Sequence, residues 1–282
     1  MRSLLFVPAD AERKIAKALA SAADVVILDL EDSVAPARKD AARRLAAECL
    51  GARAGPQPQL FVRVNPRSSG LLAPDLDAML PAHPDGVMLP KAEGGKDVLQ
   101  LARELRSPLP VIAIATESAK AMFALQSFAD AVPPLVAMAW GAEDLSSDLG
   151  ATASRDGRGG LTDPYRLART LCLLGARAAG VEPIDTVYLD FRDHDGLGAE
   201  CAAAMRDGFS AKLAIHPDQV EIINRAFTPS PAAIAEAQAV IDAFVAAGDA
   251  GVVAIGGRMF DIPHRRRAEK LIARAARYGS RQ

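Results

Sequence analysis

The residues Leu135-Val-Ala-Met-Ala-Trp-Gly-Ala-Glu-Asp-Leu-Ser-Ser-Asp-Leu-Gly150 decide how this chain is read. They begin as an unbroken apolar run of strand length. The run breaks at Gly141 and then presents two adjacent carboxylates, Glu143 and Asp144, at the head of a helix-like segment. A buried strand that delivers acids at its C-terminal end, followed by a helix, is the unit from which α/β barrels build their sites.

The same unit recurs along the chain. Residues 4–8 read as a first strand, and 10–20 as a helix with Asp10 a candidate N-cap. Residues 25–30 form a second strand ending in Glu31-Asp32, with a helix over 37–49 and a turn over 51–58. The third strand, 60–64, contains Arg63 and closes on Asn65-Pro66, with a helix over 71–80. The fourth, 86–89, closes on Pro90-Lys91, with a helix over 96–106. The fifth, 111–115, runs into Thr116-Glu117-Ser118 and a helix over 118–128. After the opening stretch come a polar loop over 151–160 and a helix over 164–179. A seventh strand over 186–189 ends in Asp190, with a helix over 199–207, and an eighth over 212–215 ends in His216-Pro217. Eight strand-then-helix units predict parallel βαβ connections and a closed TIM (β/α)8 barrel.

The barrel is expected to occupy residues 1–228. Residues 229–282 add a helix over 231–247, a glycine-rich hairpin over 248–257 and a basic helix over 264–277. That is too little for an independent enzyme domain, so a lid or oligomerisation arm is expected.

Composition supports this reading. The chain has 282 residues, 50% hydrophobic, enough for one large core. Aromatics at 5% and a net charge of −2 argue against a nucleic-acid binder, which needs stacking platforms and a basic field. Cys49, Cys172 and Cys201 are odd in number, far apart and set in helical patterns, so they read as small buried hydrophobes. The N-terminal segment is too short for a signal peptide and no apolar run would span a membrane. A cytoplasmic protein is expected.

Barrel sites lie at the C-terminal ends of strands. The side chains expected there are Asp29, Glu31, Asp32, Arg63, Asn65, Lys91, Glu117, Glu143, Asp144, Asp190 and His216. Converging carboxylates repel one another unless a cation neutralises them. Oxygen ligands without a His/Cys cluster select Mg²⁺ or Mn²⁺. Glu117 and Asp144, just past adjacent strand termini, are the best-placed pair. Each also has a plain structural use: Asp144 as an N-cap, Glu117 as a favourable charge at a helix start. A buried Arg63 must meet an anion, either one of these carboxylates or a substrate carboxylate. His216 reads as a strand-ending structural histidine. Lys91 fits an ion-pair network better than a Schiff base.

Several motifs in order now carry a resemblance: Arg2-Ser-Leu-Leu-Phe-Val-Pro8, Leu28-Asp-Leu-Glu-Asp-Ser-Val34, Val62-Arg-Val-Asn-Pro66, Ala115-Thr-Glu-Ser-Ala119, Gly141-Ala-Glu-Asp-Leu145, Ala214-Ile-His-Pro-Asp-Gln-Val220 and Gly257-Arg-Met-Phe-Asp-Ile-Pro263. Together they resemble the citrate lyase β-subunit-like branch of the HpcH/HpaI aldolase superfamily, whose relatives include malyl-CoA and citramalyl-CoA lyases. The resemblance spans essentially the whole chain. It implies a Mg²⁺ on Glu117 and Asp144, with Mn²⁺ as a substitute, and Arg63, Gly141, Ala142 and Glu143 as substrate contacts. It also implies Asp32 acting through metal-bound water, and Asp261 reaching a neighbouring subunit's site as acid/base. A homotrimer or homohexamer follows from it. The chain departs from the pattern at Ser210-Ala211, where relatives tend to carry glycine, and this bears on the local turn.

The reaction implied is Mg²⁺-dependent cleavage of a 3-hydroxyacyl-CoA thioester (citryl-, malyl- or citramalyl-CoA) into an acyl-CoA and a 2-keto acid. Arg13, Lys14 and Lys17 are candidates for the coenzyme A phosphates, against the reading of a solvated helix face. The competing readings are an aldolase on CoA-free hydroxy-keto acids, a citrate lyase complex subunit taking acyl groups from a carrier protein, and a non-enzymatic CoA-ester binder.

Overall fold

Short apolar runs bounded by Pro, Gly and acids form eight parallel strands in this computed structural model, which describes residues 1–53, 58–105, 107–248 and 250–279. In chain order the barrel elements are β1 (Ser3–Pro8), α1 (Glu12–Leu19), β2 (Val25–Asp29), α2 (Lys39–Gly51), β3 (Gln59–Arg63), α3 (Leu72–Met79), β4 (Gly86–Leu89), α4 (Gly95–Glu104), β5 (Val111–Ile114), α5 (Ala119–Met122), β6 (Leu135–Ala139), α6 (Ala142–Leu149), α7 (Asp163–Ala178), β7 (Glu182–Asp185), α8 (His194–Asp207) and β8 (Ala211–Ala214). They are followed by α9 (Val220–Phe227), α10 (Pro231–Ala246), β9 (Val252–Ile255), β10 (Arg258–Asp261) and α11 (Ile262–Gly279). The strands pair in sequence order, and β8 returns to β1 through Leu4↔Leu213, closing the expected TIM barrel. Residues 54–57 of the expected turn over 51–58 lie outside the described residues, as does Arg106.

Side chains alternate across each strand. One set fills the barrel lumen: Leu4, Ile27, Phe61, Met88, Ile112 and Ile184 among others, all buried. The same alternation brings Asp29 and Arg63, paired in register at the ends of β2 and β3, onto the inner face above this apolar plug.

Three expectations need correction. The seventh strand is Glu182–Asp185, not 186–189. Val-Tyr-Leu has the better strand composition, and Pro183 argues against a strand because it lacks an N–H. Pro183 is nevertheless accommodated: its carbonyl accepts the Ser210 N–H at 3.0 Å and the Ser210 hydroxyl at 3.1 Å. Leu189 and Asp190 consequently sit exposed in a loop.

The helix expected over 118–128 is instead the four-residue α5 followed by a 3₁₀ segment, Leu125–Ala131. The buried residues Leu125, Phe128 and Ala131 recur every third position, which suits a threefold helix. Phe123 is left almost fully exposed. Finally, Asp10 does not cap α1: Ala11 holds that position without a side-chain cap, and Asp10 meets Arg38.

The chain divides into two compact units, Met1–Asn224 and Arg225–Gln282. In the second, α10 and α11 pack around Phe244, Val240 and Ala268, and the antiparallel β9–β10 hairpin adds Val253 and Phe260 to this small core. No helix among the described residues is long and apolar enough to cross a membrane. Cys172 and Cys201 are buried free thiols and Cys49 is partly buried, as the helical pattern implied.

Candidate active site

At the C-terminal rim of the barrel, β2 to β6 gather most of the charged residues expected there. Arg63 lies against Asp29 as a two-pronged pair, Nε to Oδ1 at 2.7 Å and Nη2 to Oδ2 at 2.6 Å. Its Nη1 is 3.0 Å from Glu31 Oε2, and its guanidinium stacks over the Phe6 ring. Burial alone would lower the Arg63 pKa, but the Asp29 pair outweighs it and holds the guanidinium more firmly charged than usual. Asp29 is correspondingly held below the usual carboxylate range: burial opposes this, and Arg63 overcomes it.

Lys91, one residue past Pro90 at the end of β4, reaches three acids with Nζ: Glu31 at 2.6 Å, Asp32 at 3.2 Å and Asp144 at 3.2 Å. Its backbone N–H donates to Glu117 Oε2. Lys39 adds a third cation, donating to the carbonyls of Leu30 and Glu31 and to Asn65 Oδ1. Lys91 is therefore an ion-pair lysine, its charge stabilised by Glu31, Asp144 and Asp32 against burial.

Glu117 is 5% exposed. Burial pushes its carboxyl well above the usual range, and the charges of Asp144 and Glu31 push it further, against the Lys91 N–H. Glu31 is raised as well, by burial first, with Asp32 adding to it while Arg63 and Lys91 oppose it. Gly141, directly after Trp140, lies on top of Glu117. A Cβ there would stand 2.8 Å from Glu117 Cγ. Gly141 is the N-cap of α6, so Asp144 lies inside the first turn and is not the helix cap. Ala142 is buried and Glu143 points to solvent.

Among the described residues, the cations set against Asp29, Glu31, Asp32, Glu117 and Asp144 are Arg63, Lys91 and Lys39, the last shared with Asp75. The negative charge left over is what a divalent cation would neutralise, and the oxygen-only donors suit Mg²⁺ or Mn²⁺. No set of three His, Cys, Asp or Glu side chains among the described residues forms a complete metal cage. A lone Mg²⁺ needs only one or two protein carboxylates, so Glu117 and Asp144 fit it.

Two of the residues expected at the rim do not join it. Asp190 folds back to accept the Arg192 N–H. His216 caps the turn at Pro217–Gln219 through the Asp218 N–H and stacks on Phe191 at 4.6 Å, as a structural histidine should. Its ring lines a cleft of about 1060 Å³ formed by β1, α1 and the segment after β8, which Lys14, Lys17 and Ser33 also line. Arg13 does not line it.

In the second unit, Asp261 ends β10, and its carboxylate meets His264 Nδ1. That contact holds Asp261 below the usual carboxylate range.

A further charged cluster, around Asp185, was not anticipated. Asp185 on β7 accepts from Trp140 Nε1 at 2.7 Å, Lys212 Nζ at 2.9 Å and Arg169 Nε at 3.2 Å. Lys212 also meets Glu200 at 2.7 Å. The buried lysine inside Ala-Lys-Leu-Ala was the available signal, since a lysine within an apolar strand needs a carboxylate partner.

Comparison with known proteins places these features in context. Residues 2–217 match the family model described as HpcH/HpaI aldolase/citrate lyase, and residues 165–280 match one described as C–C bond lyase of the TIM-barrel fold. A citrate lyase subunit beta-like protein of Mycobacterium tuberculosis is 40% identical over 271 residues, covering 96% of this chain and 94% of the relative. A (3S)-malyl-CoA thioesterase of Cereibacter sphaeroides is 38% identical over 280 residues, covering 97% and 94%. The crystal structure of the CitE protein of Mycobacterium tuberculosis in complex with magnesium, acetoacetate and coenzyme A superposes with a TM-score of 0.83 at 38% identity, covering 98% of both chains.

Proposed function

Because the chain belongs to the HpcH/HpaI aldolase/citrate lyase family, we propose that it is a Mg²⁺-dependent lyase. It would cleave a 3-hydroxyacyl-CoA thioester, of the citryl-, malyl- or citramalyl-CoA type, into an acyl-CoA and a 2-keto acid. The observation that carries this reading is the Glu117–Asp144 pair, a buried carboxyl beside a half-buried one that shares Lys91 with Glu31 and Asp32, within the same rim as Arg63. The cleft bearing Lys14 and Lys17 supports a phosphorylated cosubstrate, and the magnesium and coenzyme A bound by the mycobacterial relative point the same way.

Glu117 and Asp144 would hold the metal, which when bound supplies Lewis-acid polarisation of the substrate hydroxyl and its neighbouring carboxylate. Arg63 has its Nε–Nη2 edge committed to Asp29, so its Nη1 side, next to Glu31, is the part that meets the keto-acid carboxylate. Asp32, exposed and tethered to Lys91, would orient a water between itself and the metal site. The turn Gly141-Ala142 brings backbone close to the substrate, with Glu143 at its outer edge. Lys14 and Lys17 would take coenzyme A phosphates at the cleft.

Asp261, delivered from another copy of the chain in a trimer or hexamer, would exchange the proton at the acyl-CoA α-carbon. His264 holds it ionised in the free chain, the state of a base. For cleavage it must first take up a proton.

A thioester panel assayed with Mg²⁺, using wild type and Asp261→Ala, tests this reading. Release of acetyl- or propionyl-CoA by the wild type, lost in Asp261→Ala, is expected. Absence of acyl-CoA from all three thioesters, or equal turnover of CoA-free hydroxy-keto acids by both proteins, would overturn it.

A further inference from the structure

The Asp185 cluster has no part in the chemistry above, yet it touches the segment that carries Asp144. Trp140 is 1% exposed and immediately precedes Gly141. Its indole N–H donates to Asp185, which Lys212 and Arg169 hold in turn. Glu200 completes the cluster between Lys212 and Arg155, the latter at 2.6 Å, and Asp207 anchors the outer end of Arg169 at 2.6 Å. Asp185 and Lys212 are buried at the outer face of β7 and β8, against α7 and α8.

Burying this many charges is expensive, and apolar side chains of similar volume would stabilise a fold as well or better. What a charged cluster supplies that apolar packing does not is direction. Here it fixes one indole N–H, and so the plane of the residue from which the β6–α6 turn departs. Two features make that turn intolerant of drift. Gly141 rests on Glu117 with no room for a Cβ, and Asp144 lies three residues on, within reach of Lys91 and Glu117.

We propose that Asp185 and Trp140, locked by Lys212 and Arg169, are positioning residues that set the β6–α6 turn so that Asp144 and Glu117 share one divalent cation. This rests on the reading of Asp144 as a metal ligand. Trp140 acts through backbone placement and touches neither metal nor substrate.

Mn²⁺ binding to the full-length protein, followed by electron paramagnetic resonance, provides a readout independent of turnover. Trp140→Phe keeps an aromatic side chain but removes the indole N–H together with the five-membered ring that carries it, so its loss of packing is read separately as Tm. It is expected to weaken Mn²⁺ binding by about 10-fold, the lower end for residues that support metal ligands, with a modest fall in Tm. Arg169→Gln, at the solvent end of the cluster, is expected to weaken it in the same direction and serves if Trp140→Phe does not fold. Lowered Tm with wild-type Mn²⁺ affinity in whichever of these variants folds would mean the cluster is structural only, and would overturn the proposal. Asp144→Asn separates the two possible failures. Undiminished Mn²⁺ affinity in Asp144→Asn removes the ligand assignment and the brace with it. Affinity lost in Asp144→Asn but unchanged in the folded cluster variants removes the brace alone.

Discussion

The backbone N–H of Lys91 donates to the buried carboxylate of Glu117, and Lys91 adopts a left-handed backbone, φ 52°, in doing so. Non-glycine residues rarely take that conformation, and where they do it is often at functional sites. One N–H is poor compensation for an acid surrounded by Asp144 and Glu31, so the Glu117 carboxyl titrates well above its ordinary range.

A proton-coupled metal site follows. A raised carboxyl pKa means that the folded chain binds that proton more tightly than the unfolded chain. Its contribution to stability is therefore fully present below the ordinary glutamate pKa and is lost as pH rises through the raised value. Glu31 acts in the same sense. Wherever Glu117 still carries its proton, Mg²⁺ or Mn²⁺ must displace it. Calorimetric titration at pH values stepped upward from the ordinary glutamate range, in buffers of differing ionisation enthalpy, should report proton release on metal binding. Affinity should climb with pH. Metal should also raise Tm more at the upper end of that pH series than at the lower. A pH-independent affinity with no proton release would contradict this.

Gly141→Ala is a clean probe of the turn. The backbone there is ordinary, φ −113° and ψ 124°, so alanine adds no dihedral strain. Its methyl would instead stand 2.8 Å from Glu117 Cγ and 3.3 Å from Oε1. Glu117 must move, because Gly141 is set in the turn between β6 and α6. Mn²⁺ affinity should fall by about 10- to 100-fold, whereas the far-ultraviolet circular dichroism should not change. Wild-type affinity in this variant would show that Glu117 is not held where the metal sits.

Arg63→Lys should be far from conservative. A lysine cannot reproduce the parallel Nε and Nη2 bonds to Asp29, which is 1% exposed. It also loses the contact to Glu31 and the stacking over Phe6. Leaving a buried carboxylate short of its partner costs about 3 kcal/mol or more. Urea unfolding should register that loss, and binding of a 2-keto acid such as oxaloacetate should weaken in parallel. A stability loss without weaker keto-acid binding would confine Arg63 to a structural role.

How far the fold could be read from sequence depended on how pure each apolar run was. Seven strands stand within a residue of where their runs place them, because mainly apolar runs, charged only at Asp29, Arg63 and Lys212, admit few alternatives. The eighth case, β7, failed because its residues Glu182-Pro183-Ile184-Asp185 carry one proline and two acids. Their burial comes from partners distant in sequence: Lys212, Arg169, Trp140 and Ser210. The rim was readable for the opposite reason. Glu117, Asp144, Arg63 and Lys91 follow directly on clear strands, so their convergence follows from barrel topology. The partners each would choose were not readable. Arg63 spends its fork on Asp29, and Lys91 binds three acids, only because β2 lies beside β3 and the β4 end faces both β2 and β6.

The Asp261–His264 contact gives the last prediction. His264 lies in the first turn of α11, and its Nδ1 and backbone N–H both engage the Asp261 carboxylate or backbone. Asp261 is held below the ordinary aspartate pKa chiefly by this side-chain contact. In the free protein the ionised form therefore persists to lower pH than an unpartnered aspartate would allow. If Asp261 must be ionised to remove the α-proton in the condensation direction, the acidic limb of kcat/KM lies below the ordinary range. His264→Ala removes the partner and lets the carboxyl return upward, so that limb should shift to higher pH. His264→Gln, which retains a donor near the carboxylate, should shift it less. Mn²⁺ affinity should be unchanged in both variants, since Glu117 and Asp144 keep their surroundings. An unmoved acidic limb in His264→Ala would mean either that Asp261 does not titrate in the rate-limiting proton transfer or that His264 does not control it. Asp261→Ala, assayed alongside, distinguishes these: loss of turnover there leaves only the second.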